Sequence, residues 1–285
     1  MEYIPIISVS STMDYTNPAG NTTLFVQSTP QGLVDALNME ISELHVMENE
    51  VHAEVADEEL NTVDNGYLAT WIDADGVGRK QLDTVAREQE LFEGYTIHLL
   101  QELLPKNSQL VVANSMSIRD MDYFWSGNRH SAIIYGNRGV NGIDGTVSTA
   151  LGIATNGMPT VLLTGDLTFF HDLNGLAVAK THPLNVTIIV HNNDGGGIFE
   201  YSPQKGTPHF DYLFSTAQGL DYSGLATLYG IDFVRVSSND ELKNALQNNV
   251  GTAGVHVIEI PTSKERSREL HALYTKIPTN KEDRL

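Results

Sequence analysis

The fold is decided by two stretches of the chain, TVLLTGD at residues 160–166 and VTIIVHNN at residues 186–193. Each begins with a short run of apolar and β-branched residues and ends in polar residues. A run that is apolar throughout, rather than alternating, is typical of a strand covered on both faces. The segment between the two runs is long enough for one helical crossover, so the strands are predicted to lie parallel in one sheet.

Similar runs recur along the chain and are separated by segments of helical composition. Strands are predicted at Gln109–Ala113, Ile133–Tyr135, Thr160–Thr164, Val186–Val190 and Val255–Ile260. Helices are predicted at Leu82–Leu104 (ended by Pro105), Gly145–Ala154, Leu173–Lys180, Tyr222–Tyr229 and Asp240–Gln247. This alternation predicts the α/β fold class, with a doubly wound parallel sheet.

The first 78 residues differ in charge from the rest of the chain. They contain 14 acidic residues and no Lys or Arg, whereas the remainder has 17 basic and 22 acidic residues. This change predicts a boundary near Gly78, between an acidic segment at 1–78 and a larger domain at 79–285. The segment has a strand pattern at Thr22–Gln27 and a helix pattern at Pro30–Met39, too few elements for a complete α/β domain. The acidic run Glu40–Asp64 is also consistent with a solvated face.

Composition excludes several classes of protein. The chain has 285 residues, a net charge of -19 and no cysteine, so it has no disulfide framework, thiolate metal site or Cys nucleophile. The excess of negative charge disfavours binding to nucleic acid or to an anionic membrane surface. The first residues lack a basic signal-peptide region, and no apolar run is long enough to span a bilayer. We therefore expect a cytoplasmic protein without membrane insertion.

Polar side chains follow the two strands that decide the fold. Asp166 comes directly after one strand and Asn193 after the other, 27 residues later. Because parallel strands end at the same edge of a sheet, the carboxylate and the amide oxygen are expected to converge. Such oxygen ligands suit Mg²⁺, and the glycine-rich turn Asp194–Gly197 could add a backbone carbonyl. Each piece alone is also compatible with an ordinary turn, but the spacing of the two favours a metal site.

These residues resemble the thiamine-diphosphate enzymes, in which Gly-Asp is followed about 27 residues later by Asn-Asn. The general motif has Gly after the Asp, and Leu167 replaces it here. This departure is similar to one branch, the family of 2-succinyl-5-enolpyruvyl-6-hydroxy-3-cyclohexene-1-carboxylate synthases of menaquinone biosynthesis. The strings that carry the resemblance are NSMSIRD at 114–120, NRGVNGIDG at 137–145, GDLTFFHDLNGL at 165–176 and NNDGGGIF at 192–199. The resemblance covers about Glu88 to Leu270.

The resemblance implies roles for individual residues. It implies that Mg²⁺ is bound by Asp166, Asn193 and the carbonyl of Gly195. It implies that thiamine diphosphate is bound by Ile143, Gly165, Asp166, Leu167 and Asn193, with Ile143 supporting the bent cofactor. It implies that the substrates contact Ser115, Arg119, Arg138, Ile198 and Phe199.

Two of these assignments have competing interpretations. Ile198 and Phe199 would be core residues in most α/β proteins, and an isolated Arg is usually a surface residue. A protein of net charge -19 must, however, provide local positive charge to bind dicarboxylates, and Arg pairs with a carboxylate in a bidentate geometry. This argument favours substrate binding by Arg119 and Arg138.

The family reaction decarboxylates 2-oxoglutarate and adds the succinyl-semialdehyde unit to isochorismate. It also needs a glutamate from a pyrimidine-binding domain, which the resemblance places outside this chain. The chain is therefore expected to correspond to the C-terminal half, with 1–78 as a shortened remnant of the middle domain. A homo-oligomer or a complementary pyrimidine-binding chain is expected as partner. The alternatives are another thiamine-diphosphate 2-oxo-acid enzyme, such as an acetolactate-synthase-like protein or a decarboxylase, and a non-catalytic cofactor-binding subunit.

Other kinds of site lack their sequence signatures. The chain has no Gly-x-Ser-x-Gly elbow for a hydrolase nucleophile, and no pair of His residues at zinc-ligand spacing near a carboxylate. The glycines at 139, 142 and 145 lack the Gly-x-Gly start of a dinucleotide fingerprint. His191, at the end of a strand, is expected to be a structural residue.

Overall fold

The computed structural model describes residues 7–12, 23–39, 65–127 and 132–276. The chain divides into two compact units, Met1–Gly66 and Tyr67–Leu285. The boundary predicted from charge, near Gly78, falls inside a helix that runs from Asn65 to Asp83. Among the described residues, no helix is both long and apolar enough to cross a bilayer.

The first unit contains two short parallel strands, β1 (Ile7–Ser10) and β2 (Leu24–Gln27), paired with Ile7 opposite Leu24. Residues 30–39 form helix α1. The strand predicted at Thr22–Gln27 and the helix predicted at Pro30–Met39 are thus confirmed where the structure describes them, and β1 was not predicted. The acidic run Glu40–Asp64 lies outside the described residues.

From Gln109 onward, the described part of the second unit alternates strands and helices. Its first elements are α2 (Asn65–Asp83), α3 (Glu93–Leu103), β3 (Gln109–Val112), α4 (Met116–Phe124), β4 (Ile133–Gly136), α5 (Thr146–Ile153) and β5 (Thr160–Gly165). They are followed by α6 (Asp166–His171), β6 (Asn185–Asn192), α7 (Leu225–Tyr229), β7 (Asp232–Arg235), α8 (Asn239–Asn249), β8 (Gly254–Pro261) and α9 (Lys264–Thr275). The predicted helix at Leu173–Lys180 is a 3-10 helix.

Six of these strands form one parallel sheet in the order β4-β3-β5-β6-β8-β7. All five strands predicted in this region are present, which confirms the doubly wound parallel sheet. The edge strand β7 was not predicted. In β5 and β6, Gly165 is paired with His191, so the two strands end side by side.

The sheet is covered by helices on both faces, as its apolar strands require. Successive residues of β3 belong to opposite cores: Leu110 and Val112 pack on one face and Val111 on the other. Helices α3, α4, α8 and α9 cover the first face, and α5, α6 and α7 contribute to the second. Burial on both faces explains why these strands show no alternation in sequence.

The single helix predicted over Leu82–Leu104 is wrong, because α2 ends at Asp83 and α3 begins at Glu93. Between them the side chain of Glu88 accepts hydrogen bonds from the next two backbone amides, at 2.7 and 2.8 Å. Phe92 then adopts an extended backbone (φ -147°, ψ 144°), and its side chain is fully buried. A local hydrogen-bonded turn and a core aromatic therefore override a continuous helical pattern.

The strand order also predicts where a ligand would bind. The chain runs outward from β3 to β4 and then returns to the other side of β3 as β5. The loops after β3 and β5 diverge at this switch point and leave a crevice beyond the carboxyl ends of the strands.

Candidate functional site

A cavity of about 190 Å³ lies at this switch point, lined by residues that follow β3, β4, β5 and β6. All of the residues predicted to bind cofactor and metal line it: Ile143, Gly165, Asp166, Leu167, Asn193 and Gly195. Three residues predicted to contact substrate also line it: Ser115, Ile198 and Phe199. The fold thus brings residues from four separate segments to one place.

Asp166 is the first residue of α6, directly after β5, and its side chain is buried. Its carboxylate accepts hydrogen bonds from the backbone amides of Leu167 (2.7 Å) and Gly195 (2.8 Å). Burial nevertheless raises the pKa of Asp166 to about 6, because these two amides offset only part of the cost of burying a charge. A cation bound beside the carboxylate would remove that cost.

Asn193 follows β6 and faces the same cavity. Its Oδ1 atom is buried and has no hydrogen-bond partner among the described residues. Its amide packs against Gly197 so closely that a Cβ there would lie 2.6 Å from Nδ2. A buried acceptor without a donor is costly, and a metal ion is one partner that would satisfy it.

The turn after Asn193 brings its backbone close to Asp166. Gly195 adopts φ +136°, and a Cβ at this position would collide with the carbonyl oxygen of Ser215. Only glycine fits both conditions without strain. The carbonyl of Gly195 accepts one hydrogen bond, from the amide of Gly197 at 2.9 Å, and keeps a second lone pair.

The donor set fits Mg²⁺ better than a transition metal. Among the described residues, no group of three or more His, Asp or Glu side chains is arranged to hold a metal ion. The site has one carboxylate, one amide oxygen and one backbone carbonyl. Such a sparse set of oxygen ligands is typical of Mg²⁺, which completes its octahedron with phosphate oxygens and water.

Ser115 and Arg119 lie on the loop and helix that follow β3. Ser115 precedes α4 and has a positive φ of 70°. Arg119 donates from Nη1 to the carbonyl oxygen of Ser115 at 2.5 Å, so the arginine stabilises this unusual backbone. Arg119 does not line the small cavity. It lines an adjacent, larger cavity of about 1020 Å³, which also includes Ile198.

Arg138 lies outside both cavities, in the loop after β4. Its Nη1 donates to Oδ1 of Asn114 at 2.9 Å. The Nδ2 atom of Asn114 donates to the carbonyls of Asn137 (2.7 Å) and Gly142 (2.5 Å). Asn114 therefore joins the loops after β3 and β4, and Arg138 orients its side chain.

Phe199 and Ile198 are not core residues. The side chain of Phe199 is 38% exposed and its ring packs against Phe214 at 5.6 Å. Ile198 is half-buried and borders both cavities. Of the two interpretations of this pair, the structure favours pocket-lining residues over core residues.

A buried polar network behind the small cavity was not predicted from the sequence. Glu93 and Asp120 line the cavity, as does His191, although almost none of their surface is exposed. His191 bonds to Thr96 at 3.0 Å, and burial lowers the pKa of its imidazole, which favours the neutral ring. Asp120 bonds to His271 of α9 at 2.7 Å. These partners lie 95 and 151 residues apart in the chain, and no local motif indicates such pairs.

Curated proteins with a related sequence have a named activity. The chain is 46% identical over 270 residues to the 2-succinyl-5-enolpyruvyl-6-hydroxy-3-cyclohexene-1-carboxylate synthase of Lactococcus lactis subsp. cremoris (strain SK11), covering 94% of this chain and 45% of that protein. It is 46% identical over 218 residues to the synthase of the same name from Desulfitobacterium hafniense (strain DSM 10664 / DCB-2), covering 76% of this chain and 40% of that protein. The chain thus spans less than half the length of these relatives.

Solved structures share the fold. One is a putative thiamin diphosphate-dependent enzyme from Mycobacterium smegmatis, with a TM-score of 0.50 and 21% identity, covering 61% of this chain and 32% of that chain. Another is the benzoylformate decarboxylase from Polynucleobacter necessarius, with a TM-score of 0.50 and 23% identity, covering 60% of this chain and 33% of that chain. At these identities the likeness concerns the fold alone.

A family model described as the thiamine pyrophosphate enzyme, C-terminal TPP binding domain, matches residues 115–260. This range includes both strand ends, the glycine-rich turn and the loops around the small cavity. The chain therefore belongs to the thiamine pyrophosphate enzymes, of which it carries the C-terminal TPP binding domain.

Proposed function

We propose that this chain forms the diphosphate-binding half of a 2-succinyl-5-enolpyruvyl-6-hydroxy-3-cyclohexene-1-carboxylate synthase. The observation that carries the proposal is the pairing of Asp166 with Asn193 at adjacent strand ends. One is a buried carboxylate with a raised pKa, and the other presents a buried amide oxygen without a partner. The identity of 46% with synthases of this name supports the specific reaction.

In the proposed complex, Asp166, Asn193 and the carbonyl of Gly195 hold Mg²⁺, which in turn neutralises the diphosphate. The backbone from Gly165 to Leu167 contacts the diphosphate at the start of α6, where the helix dipole favours negative charge. When bound, thiamine diphosphate supplies a nucleophilic carbon and an electron sink for decarboxylation of a 2-oxo acid. Ile143 supports the cofactor from the opposite loop, as part of the cavity wall.

The substrates in this proposal are 2-oxoglutarate and isochorismate, both of which carry carboxylates. Arg119 borders the larger cavity, and Arg138 orders the strand-end loop through Asn114. Neither guanidinium forms an ion pair with a described carboxylate, so neither positive charge is neutralised in this way. We propose that Arg119 contacts an anionic substrate from the larger cavity and that Arg138 does so from the loop after β4. Ser115, Ile198 and Phe199 complete the substrate side of the site.

The proposal also requires a second half of the site. The synthase of Lactococcus lactis subsp. cremoris (strain SK11) is more than twice as long as the stretch aligned with this chain. The family resemblance implies that the glutamate that activates the cofactor belongs to a pyrimidine-binding domain. We propose that a pyrimidine-binding domain outside these residues supplies this glutamate. Residues 1–78 would then correspond to part of the middle domain.

Calorimetric titration of the purified chain with thiamine diphosphate tests the metal site. We expect binding with Mg²⁺ present and loss of binding in excess chelator. Asp166→Ala should abolish the Mg²⁺-dependent binding, whereas Asp122→Ala, an exposed carboxylate on α4, should leave it unchanged. Equal affinity in wild type and Asp166→Ala would refute the assignment.

A separate assay tests the reaction. The chain alone should not turn over 2-oxoglutarate with isochorismate, and addition of a pyrimidine-binding half should restore turnover. Activity with pyruvate in place of 2-oxoglutarate would instead favour another 2-oxo-acid enzyme. Cofactor binding without any turnover in the assembled protein would favour a non-catalytic subunit.

A further inference from the structure

Lys264 makes an unusual set of contacts with the glycine-rich turn. It is the first residue of α9, and its Nζ atom donates to the carbonyl oxygen of Asp194 at 2.9 Å and to Oγ of Ser215 at 2.5 Å. No described carboxylate forms an ion pair with it. Its charge is therefore directed at the backbone of the turn.

Within the turn that Lys264 contacts, the amide of Gly197 donates to the carbonyl of Gly195 at 2.9 Å, but two residues of the turn have backbone conformations that need further support. Asp194 has φ +55° and Gly195 has φ +136°, two conformations that cost energy or require glycine. The turn is held from outside, because the amide of Gly196 donates to the carbonyl of Ser215 at 2.7 Å. The Asp194 carboxylate accepts from two further amides, those of Gln218 (3.0 Å) and Gly219 (2.8 Å).

Lys264 completes this set of external contacts from a third element. Its ammonium group bonds to both the turn and Ser215, and so connects the turn after β6 and the segment that contains Ser215 to α9. The position is electrostatically unfavourable for a cation, because the N-terminus of a helix already carries partial positive charge. The hydrogen bonds to the turn offset that cost and account for a lysine at this place.

We propose that Lys264 is a positioning residue that clamps the Asp194–Gly197 turn onto Ser215. The clamp holds the Gly195 carbonyl and the Asn193 side chain beside Asp166, in the arrangement that binds the metal. The clamp rests on the proposed function, since these groups are the proposed Mg²⁺ ligands. Lys264 itself contacts neither metal nor cofactor in this proposal.

Two roles of Lys264 can be distinguished: an electrostatic attraction to an anionic ligand, and stabilisation of the conformation of the turn. If Lys264 acted only as a positive charge near an anionic site, its removal would weaken binding without altering the ligand-free turn. If it clamps the turn, its removal frees the backbone before any ligand is added. The amides of Gly195 and Gly196 report this directly, because they bond to Asp166 and Ser215.

The experiment compares Lys264→Met, Lys264→Arg and Ser215→Ala with the matched control Lys243→Met. Lys243 is exposed on α8, with no hydrogen bond or ion pair in the described structure. Hydrogen exchange of the peptide spanning residues 193–198 is measured by mass spectrometry on the ligand-free chain. Mg²⁺-dependent binding of thiamine diphosphate is measured by calorimetry, and the thermal midpoint is recorded for each variant.

We expect Lys264→Met to accelerate exchange of this peptide and to weaken Mg²⁺-dependent binding by about tenfold to a hundredfold, the range for losing hydrogen bonds to a charged group. Ser215→Ala should show a smaller change in the same direction. Lys264→Arg should retain most of the protection, since its guanidinium can still donate to the Asp194 carbonyl. The control should match wild type in both measurements.

Two results would overturn the clamp. Unchanged exchange in Lys264→Met would show that the turn holds its shape without the lysine. Faster exchange with unchanged cofactor affinity would show that the lysine has no bearing on the metal site. Failure of the wild-type chain to bind cofactor would refute the proposed function, while the exchange measurement would still decide whether Lys264 holds the turn.

Discussion

The backbone amide of Gly195 donates to Oδ2 of Asp166 over 2.8 Å, across 29 residues of sequence. This bond joins the ends of β5 and β6 and brings the glycine-rich turn against the buried carboxylate. The turn can approach so closely because Gly195 has no side chain. The relationship makes the conformation of the turn and the environment of the carboxylate dependent on each other.

Gly195→Ala should therefore lower the free energy of unfolding by more than the same substitution at a glycine that has a positive φ but no close neighbour. An alanine at φ +136° is strained, and its Cβ would collide with the carbonyl of Ser215. Gly206→Ala is the matched control, because its φ is +84° and a Cβ there meets nothing within 4 Å. We expect a cost of roughly 1 to 2 kcal/mol for the control. The collision should add roughly 1 to 3 kcal/mol for Gly195→Ala. Urea unfolding of the two variants checks this, and equal costs would contradict it.

Arg119→Ala and Arg138→Ala should each lower kcat/KM for the anionic substrates by about tenfold to a hundredfold in the assembled enzyme. The reason is the loss of a charge-assisted contact of roughly 1.5 to 3 kcal/mol. Cofactor affinity should change little, because Asp166 and Asn193 are untouched. Lysine should rescue poorly at either position, since a point charge cannot reproduce a planar fork. Steady-state kinetics beside a cofactor titration provides the measurement. Full efficiency of both variants with both substrates would make these arginines surface residues.

The pair formed by Asp120 and His271 should make stability depend on pH. Nε2 of His271 lies 2.7 Å from the Asp120 carboxylate, and Nδ1 lies 2.7 Å from the carbonyl of Ser267. Burial alone would lower the pKa of His271, but the hydrogen bond and charge of Asp120 outweigh it and raise that pKa. A raised histidine pKa contributes stability below its unfolded value of about 6.5 and loses that contribution as pH rises through the folded value.

The free energy of unfolding should accordingly fall between pH 6 and pH 9 by more in wild type than in His271→Gln. Burial raises the pKa of Asp120, and the hydrogen bond and charge of His271 oppose that rise. At pH 6 the variant should therefore be less stable than wild type, because it removes the partner that favours the buried carboxylate. His98→Gln is the control, since His98 is part-exposed and lies 3.6 Å from the carboxylate of Glu102 on the same helix. Parallel pH profiles of wild type and His271→Gln, obtained by urea unfolding, would show that the pair contributes no pH dependence.

Phe92→Ala should be among the most destabilising substitutions in the larger unit. The ring is fully buried and packs against Phe124 (5.5 Å), His271 (4.9 Å) and Tyr274 (5.6 Å). Its removal leaves a cavity between α3, α4 and α9, with an expected cost of roughly 3 to 5 kcal/mol. Phe170→Ala, at a ring that is 43% exposed, should cost far less. The two midpoints in urea test the ranking, and similar values would contradict it.

The sequence by itself determined five of the six strands of the large sheet and the convergence of Asp166 with Asn193, the two proposed metal ligands. The runs at 161–163 and 188–190 show no alternation of apolar and polar residues because both faces of their strands are buried, a property that each segment carries locally. Asp166 and Asn193 could be predicted to lie close together because adjacent parallel strands end at the same edge of the sheet. A residue that directly follows such a strand therefore lies at that edge. The glycine-rich turn was also recognisable, because a backbone conformation that requires glycine restricts the residue type at that position.

Only the tertiary structure decided how the remaining residues group. It interrupts the predicted helix between Asp83 and Glu93, where Phe92 has an extended backbone and a fully buried ring. It separates Arg119 from Arg138, placing one at the larger cavity and the other on Asn114. It also joins Asp120 to His271 and Lys264 to the turn at Asp194, pairs that are 151 and 70 residues apart. The pair Asp120–His271 depends on how α4 and α9 pack on one face of the sheet, and the contact of Lys264 depends on where α9 begins relative to the turn. Packing between distant elements has no signature in any short stretch of sequence.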